Sequence, residues 1–155
     1  MKRRRGERLA SDFGEERRAP RARQGLAAVH DCGRMLNPMV VEGQVAGAVV
    51  QGLGAALLEE VVYGDDGQLL TASLMDYLYP TATEIPVFDI GHLETPSPVV
   101  DGGVEGLGEG GTIATPAAVV NAVADALSPL GISIEAMPLG PSRVLDLVRA
   151  ATERS

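Results

Sequence analysis

Short apolar runs, bounded by glycine, proline and acidic turn residues, begin at residue 25 and indicate several strands. Residues 25–30 are mostly apolar and residues 87–94 alternate between apolar and polar, so each segment predicts one strand. Residues 59–63 and 68–71 flank a Gly-Asp-Asp-Gly segment and predict a hairpin with a four-residue turn. Residues 132–135 predict a last short strand.

Three longer segments combine a helix-start signal with the apolar residues that follow it. Asn37 and Pro38 supply an N-cap and a first-turn proline for a helix that we expect to continue to about Glu60. Thr115-Pro116 gives the same signal for a second helix, and Pro141 opens a third. Three helices with four or five short strands predict an α+β fold.

A glycine-rich loop before the second helix contains a single ionisable side chain. Between Gly106 and Gly111 the only carboxylate is that of Glu109, which has Gly108 and Gly110 as its neighbours. Glycine lets a large group come against the backbone, and the nearby helix N-terminus favours an anion. Glu109 is therefore the first candidate for chemistry, although such loops also occur as purely structural turns.

The first predicted helix has four glycines in its interior, Gly43, Gly47, Gly52 and Gly54. Because each costs about 0.5–1 kcal/mol relative to alanine, close contacts on those faces have to offset about 2–4 kcal/mol. We expect either another backbone or a flat cofactor there. Gln44 and Gln51 form a ridge beside this groove, and simple solvent exposure is the alternative for both.

Charge divides the chain after residue 24. Residues 1–24 carry nine Lys or Arg and four Asp or Glu, whereas the rest carries four and seventeen. Apart from Met1, the only large apolar residues of the first segment are Leu9 and Phe13. We therefore predict a disordered basic N-terminal extension over residues 1–24 and one domain over residues 25–155. The extension is an arm without a function or an upstream translation start, with a nucleic-acid-binding tail as the alternative.

Composition excludes some classes of site. The single cysteine permits no internal disulfide, and an iron–sulfur cluster held by this chain alone would need about four cysteines. No apolar run approaches about 18 residues without glycine or polar interruption, which predicts a cytoplasmic protein without a membrane span. His92 has no second His or acidic residue at metal-site spacing, so we expect it at the surface or at an interface. No metal ligand is predicted.

Five segments occur in order and without large gaps: Asp31–Pro38, Val41–Gly47 with Gln51–Glu60, Ser73–Tyr77, Glu94–Pro98 and Gly106–Glu109. Together they closely resemble the C-terminal part of molybdenum hydroxylase large subunits. That family includes xanthine dehydrogenase, aldehyde oxidoreductase and the large subunit of aerobic carbon monoxide dehydrogenase. The resemblance covers about residues 26–150, and five segments are far more specific than one glycine loop.

The resemblance implies part of a molybdopterin-binding domain in a molybdenum-dependent hydroxylase. Glu109 matches the glutamate that acts as base toward a metal-bound hydroxide, and Gln44 matches the glutamine that hydrogen-bonds the molybdenum cofactor. By the same resemblance, Gly43 and Gly47 let the cofactor approach, while Gly108 and Gly110 leave room at the metal. The implied cofactor is molybdenum–molybdopterin in its cytosine dinucleotide form, and the implied partners are an iron–sulfur subunit and an FAD subunit.

Two departures from the family pattern leave two interpretations open. Glu105 stands where a lysine is often expected, and the family's large subunit is several times longer than 155 residues. In one interpretation the chain is the C-terminal part of an oxidoreductase and is active only with the upstream part of the large subunit. In the other it is a truncated, non-catalytic remnant or structural module.

Overall fold

The computed structural model describes residues 25–154, and the predicted extension over residues 1–24 lies outside them. Their regular elements, in chain order, are β1 (Leu26–Asp31), α1 (Pro38–Leu57), β2 (Phe88–Leu93), α2 (Gly110–Leu127) and α3 (Pro141–Thr152). Short 3₁₀ turns cover Asp101–Gly103 and Ser128–Leu130. This confirms the α+β class with three helices.

The two strands form a parallel pair that packs on α1. Leu26 lies opposite Phe88 and the register continues to Asp31 opposite Leu93. Alternate residues of the strands pack against a buried row on α1 formed by Val45, Val49 and Leu53. Since side chains of a strand alternate between faces, the apolar residues on one face meet the helix and those on the other do not.

The sequence signals at the start of α1 and α3 are confirmed. The Asn37 side chain accepts a hydrogen bond from the backbone N–H of Val40 at 3.3 Å, so it caps α1. That helix ends at Leu57 rather than near Glu60. The N–H of Leu58 still donates four residues back to the carbonyl of Gly54, but the N–H of Glu59 donates to the same carbonyl, five residues back, and so leaves the α-helical pattern. Helix α3 begins at Pro141 as predicted.

The predicted start of α2 at Thr115-Pro116 is wrong. The helix begins at Gly110 with Glu109 as its N-cap residue, and Pro116 lies inside it. The Thr115 hydroxyl donates to the carbonyl of Gly111 at 2.7 Å, a bond to the preceding turn instead of a cap. Proline within a helix costs roughly 3 kcal/mol, and we attribute its tolerance here to the packing of this segment on α1.

Helices α1 and α2 run in the same direction and meet through glycine. A Cβ on Gly52 would lie 2.6 Å from the Cβ of Thr115, and a Cβ on Gly111 would lie 3.0 Å from the carbonyl oxygen of Val45. Thr112 adds a hydrogen bond from its hydroxyl to the carbonyl of Ala48 at 3.0 Å. At Gly52 the close contact expected on a glycine face of the first helix is therefore made by α2, through the side chains of Thr115 and Pro116.

Two predicted strand segments differ from the structure. The hairpin forms its turn, with the N–H of Gly64 donating to the carbonyl of Gln68 at 2.8 Å, but the flanking segments contribute only one bridge, between Tyr63 and Leu69. Residues 132–135 form no strand. Ile132 is buried and the N–H of Leu139 donates to the carbonyl of Ala56 at 2.7 Å, so this segment is held by packing and one anchor on α1.

Asp31 ties the ends of the two strands together. Its carboxylate accepts the Thr95 hydroxyl at 2.6 Å, the Thr95 N–H at 3.0 Å and the Gly33 N–H at 2.9 Å. These bonds, led by that from the Thr95 side chain, lower the pKa of Asp31 below its ordinary value of 3.8. The loop after β2 is thereby fixed to the turn after β1.

The lowered pKa of Asp31 predicts a pH-dependent contribution to stability. A carboxyl group whose pKa is lower in the folded state stabilises the fold above its unfolded pKa, and that contribution disappears as pH falls through the folded value. We expect Asp31→Asn to be less stable than wild type at about pH 7, with the gap narrowing at about pH 3. Urea unfolding of both proteins across this range measures it, and a constant gap would contradict it.

Candidate functional site

Glu109 lies at the junction between the glycine-rich loop and α2. Its carbonyl accepts the N–H of Thr112 at 2.9 Å, whereas its side chain makes no capping hydrogen bond. The residue is exposed, and a Cβ on Gly106 or Gly108 would meet nothing within 4 Å. Within residues 25–154 the carboxylate therefore stands at a helix N-terminus, beside open space on the loop side.

Gly110 follows Glu109 and has a neighbour that requires glycine. A Cβ at this position would lie 2.8 Å from Nδ1 and 3.1 Å from Nε2 of His30. The His30 ring thus packs directly on the first residue of α2, so a side chain at position 110 would displace either the ring or the helix start. This contact with His30 does not test the other role expected of Gly110, that of leaving room at a metal, which stays a prediction.

Gln44 is an exposed residue of α1 and lines a cleft of about 340 Å³. The same cleft is also lined by residues at the start of the glycine loop and just before it, including Leu107 and Glu105. The N–H of Glu105 donates to the carbonyl of Cys32 at 2.9 Å, which holds this wall in place. The residue that departs from the family pattern therefore shares a cleft with the predicted cofactor contact.

Gly43 and Gly47 lie on an open surface of α1. Both are exposed, and an added Cβ at either position would meet nothing within 4 Å among the described residues. In this they differ from Gly52, which contacts α2. Neither exposed glycine is needed for packing inside residues 25–154, and both present bare backbone that an outside group can approach.

The packing of α2 on α1 brings the two predicted site regions to the same end of the helix pair. Thr112 lies one turn after Glu109, and its hydroxyl donates to the carbonyl of Ala48, one turn after Gln44. The same hydroxyl lies 3.5 Å from Oε1 of Gln51, which is exposed. The first turn of α2 and the Gln44 side of α1 are thus adjacent, whereas the sequence separates them by about sixty residues.

Two histidines were not recognised as a pair from the sequence. His30 and His92 are in-register partners on β1 and β2. Both are half-buried, and Nε2 of His30 and both ring nitrogens of His92 are buried without a hydrogen-bond partner among the described residues. The signal that could have found the pair was the parallel alignment of the two strands, which cannot be read from one strand alone.

The chemistry of the donor groups fits a flat polar cofactor better than a metal ion held by protein ligands alone. Residues 25–154 contain no cluster of three or more His, Cys, Asp or Glu arranged for a metal. They do offer an exposed amide at Gln44 beside the open backbone of Gly43 and Gly47. An amide presents both donor and acceptor, which suits the edge of a heterocycle.

Comparison with known proteins identifies the family. Residues 24–86 match the family described as the molybdopterin cofactor-binding domain. Over 118 residues the chain is 49% identical to the nicotine 6-hydroxylase large subunit of Paenarthrobacter nicotinovorans, a match that covers 76% of this chain and 14% of the relative. Residues 24–86 therefore belong to the molybdopterin cofactor-binding domain family. The family match includes Gln44, Gly43 and Gly47.

Other relatives of this molybdopterin-binding segment agree. The carbon monoxide dehydrogenase large chain of Hydrogenophaga pseudoflava is 36% identical over 117 residues, which cover 76% of this chain and 15% of that protein. The crystal structure of quinoline 2-oxidoreductase from Pseudomonas putida 86 has 54% identity and a TM-score of 0.77, over 79% of this chain and 16% of that one. The resemblance inferred from the sequence is confirmed, and the chain spans about one seventh of the length of these relatives.

Two helices of the structure bear on the expectation that the protein has no membrane span. Two helical segments, Pro38–Leu57 and Gly110–Leu130, are long and apolar enough to cross a membrane by length and composition alone. Of the apolar window in the first, 44% is buried inside the protein, against 6% in the second. The first packs as a core helix, and one or two such helices are weak evidence for a membrane protein.

Proposed function

We propose that this chain forms part of the large subunit of a molybdopterin-dependent hydroxylase. It supplies the base Glu109 and the cofactor contact Gln44, with Gly43, Gly47, Gly108 and Gly110 giving the cofactor room. The observation that carries the proposal is the adjacency of two otherwise free polar groups. Glu109 is the exposed N-cap residue of α2, and its side chain makes no capping hydrogen bond. It lies at the same end of the helix pair as the exposed Gln44, near the hydrogen bond from the Thr112 hydroxyl to the carbonyl of Ala48 that joins the two helices.

The position of Glu109 supports a role as general base. Its side chain is not used for capping or for a hydrogen bond to another described residue, so it is free to accept a proton. The unpaired N–H groups of the first turn of α2 favour a negative charge at this point. When bound, molybdenum–molybdopterin supplies the two-electron oxidation, and the Glu109 carboxylate accepts the proton that hydroxylation releases.

The position of Gln44 supports a role as cofactor contact. It projects from a helix whose neighbouring glycines, Gly43 and Gly47, present bare backbone. The amide can donate and accept at once, so it can orient a pterin edge without carrying charge. We propose the cytosine dinucleotide form of the cofactor, on the resemblance to bacterial members of the family.

The remaining parts of the enzyme belong to partners. Since the chain spans 14–16% of its relatives, we propose that the upstream part of the large subunit completes the cofactor site, either as a separate polypeptide or in one longer gene product. Iron–sulfur and FAD subunits would carry electrons away from the site. We propose a cytoplasmic location for this assembly.

Exposed apolar surface supports assembly with a larger body. In the described chain, several large apolar side chains have more than four fifths of their surface exposed. They are Met75 and Val87 in the connection between α1 and β2, Val99 in the connection between β2 and α2, and Ile113 in α2. Scattered exposed apolar residues are ordinary in monomers, but several large ones exposed to this degree are typical of a surface that a partner covers. The alternative function, a truncated non-catalytic remnant, leaves this surface bare.

Molybdenum content tests the proposal. Native pull-down of this chain from its own host, with elemental mass spectrometry and identification of co-purifying polypeptides, should recover molybdenum together with the upstream part of the large subunit. Gln44→Ala should co-purify with the same polypeptides but carry roughly tenfold less molybdenum. Loss of a residue that surrounds a metal site without ligating the metal typically lowers metal affinity by about 10–100-fold. Wild-type chain without metal and without partner would establish the remnant.

A further inference from the structure

Within residues 25–154, the outer edge of β1 carries backbone groups without partners. The described part of the chain forms a sheet of two strands, in which β1 pairs with β2 along its whole length, so no described strand lies on the other side of β1. In a parallel ladder, alternate residues direct their N–H and C=O groups away from the partner strand. Among residues 25–154 no further backbone–backbone hydrogen bond reaches β1. Such an edge is a template for another strand.

A cleft of about 340 Å³ runs along this edge. It is lined by five consecutive residues, from Leu26 to His30, and on the other side by one face of α2. Consecutive residues of a strand point to opposite faces, so a cleft that touches all five follows the strand's edge. The α2 wall presents mostly small residues: Gly110, Gly111, Ala114, Thr115 and Ala118. Space for the side chains of an added strand is therefore present beside β1.

No described residue covers the outer face of the strand pair, which carries exposed apolar side chains. Val29 is 60% exposed and Leu93 is 59% exposed, although both belong to the strands. Parallel sheets are normally covered on both faces and contain more than two strands. The pair thus has the apolar composition of an interior sheet without the strands and layers that would surround it.

An unpaired polar atom lies in the same cleft. His30 lines the cleft, and its Nε2 is buried without a hydrogen-bond partner in the described part of the chain. Buried polar atoms of folded proteins are nearly always paired. A strand lying in the cleft would bring backbone groups into a region where this imidazole nitrogen lacks a partner.

We propose that the outer edge of β1 takes a β-strand from the remaining part of the large subunit, which lies in the cleft between β1 and α2. The inference rests on the proposed function, because it assumes that the chain assembles with that part. The relatives favour this occupant, since about six sevenths of their length lies outside the matched region. Main-chain hydrogen bonds would supply affinity, and the small residues on the α2 side of the cleft would leave room for the side chains of the added strand.

Hydrogen exchange of β1 provides the first test. The complex obtained by native pull-down is compared with the isolated chain, and exchange is followed for the amides of residues 26–31. We expect the exchange rate of the edge amides to be at least roughly tenfold lower in the complex, because pairing with a strand protects them from solvent. Unchanged exchange in a complex that holds molybdenum and the upstream polypeptide would overturn this inference and leave the proposed function standing.

A pair of variants on α2 provides the second test. Ala118→Arg fills the cleft, whereas Ala117→Arg places the same side chain at an exposed position outside the cleft lining. We expect the first to reduce the co-purified upstream polypeptide roughly tenfold and the second to leave it near wild type. Equal losses for both variants would contradict binding at this edge.

Other occupants of the edge give different results. If residues 1–24 or a second copy of this chain occupy it, the β1 amides are already protected in the isolated protein, and protection that weakens on dilution identifies the second copy. Either result overturns the proposal. Failure to recover any upstream polypeptide overturns it as well, and in that case the proposed function fails with it.

Discussion

Glu109→Gln should reduce turnover of the assembled enzyme by about 10²–10⁴-fold, the usual contribution of a general base. The substitution keeps the length of the side chain and its place at the start of α2, but it removes the group that accepts a proton. Because the Glu109 side chain makes no capping hydrogen bond, the fold should not depend on it. Molybdenum content should therefore equal that of wild type.

The experiment measures turnover and molybdenum on the same preparation of the native complex. Asp125→Asn is the matched control, since it also converts a carboxylate to an amide on α2 but lies near the other end of the helix, at an exposed position. We expect the control to retain full activity. Full activity of Glu109→Gln would refute its role as base, and loss of molybdenum in that variant would assign it a role in holding the cofactor instead.

Local signals predicted the elements that depend on neighbouring residues. The cap of α1 requires only Asn37 and the N–H of Val40, three residues away, so the sequence contains all of it. The parallel strand pair was foreseen as two strands by their patterns, but their pairing joins segments about sixty residues apart. Residues that meet only through such pairing, including His30 with His92, could not be assigned to each other.

The start of α2 shows how a tertiary contact overrides a local signal. Thr115-Pro116 has the composition of a helix start, yet Thr115 is buried against Gly52 of α1 in the second turn of the helix. Packing at Gly111 on α1 extends the helix toward Glu109. The consequence for function is direct, because the extension places Glu109 itself at the helix N-terminus.

The glycines of α1 show the same limit. Periodicity identified a face where something comes close, but it could not distinguish a neighbouring helix from a cofactor. In the structure Gly52 lies against Thr115 of α2, whereas Gly43 and Gly47 are open. The assignment of the cofactor to the open pair rests on the family resemblance, and it stays a proposal.

Gly52→Ala and Gly47→Ala should change the stability of the isolated chain in opposite directions. At position 52 the new Cβ would lie 2.6 Å from that of Thr115, so α1 and α2 must separate. Overpacking costs about 1–3 kcal/mol, which the gain in helix propensity of about 0.5–1 kcal/mol offsets only in part. At position 47 the Cβ meets nothing within 4 Å, so only the propensity gain remains.

Urea unfolding of the two variants measures this difference directly, and equal changes in the free energy of unfolding would mean that α1 and α2 do not pack through Gly52.

For cofactor content, we expect Gly47→Ala to be the variant that is impaired. In the assembled enzyme Gly47→Ala should carry less molybdenum than wild type despite its more stable fold, because its Cβ occupies space that the proposed cofactor needs. A glycine that lowers stability where no described residue touches it is then explained by the group that approaches it from outside.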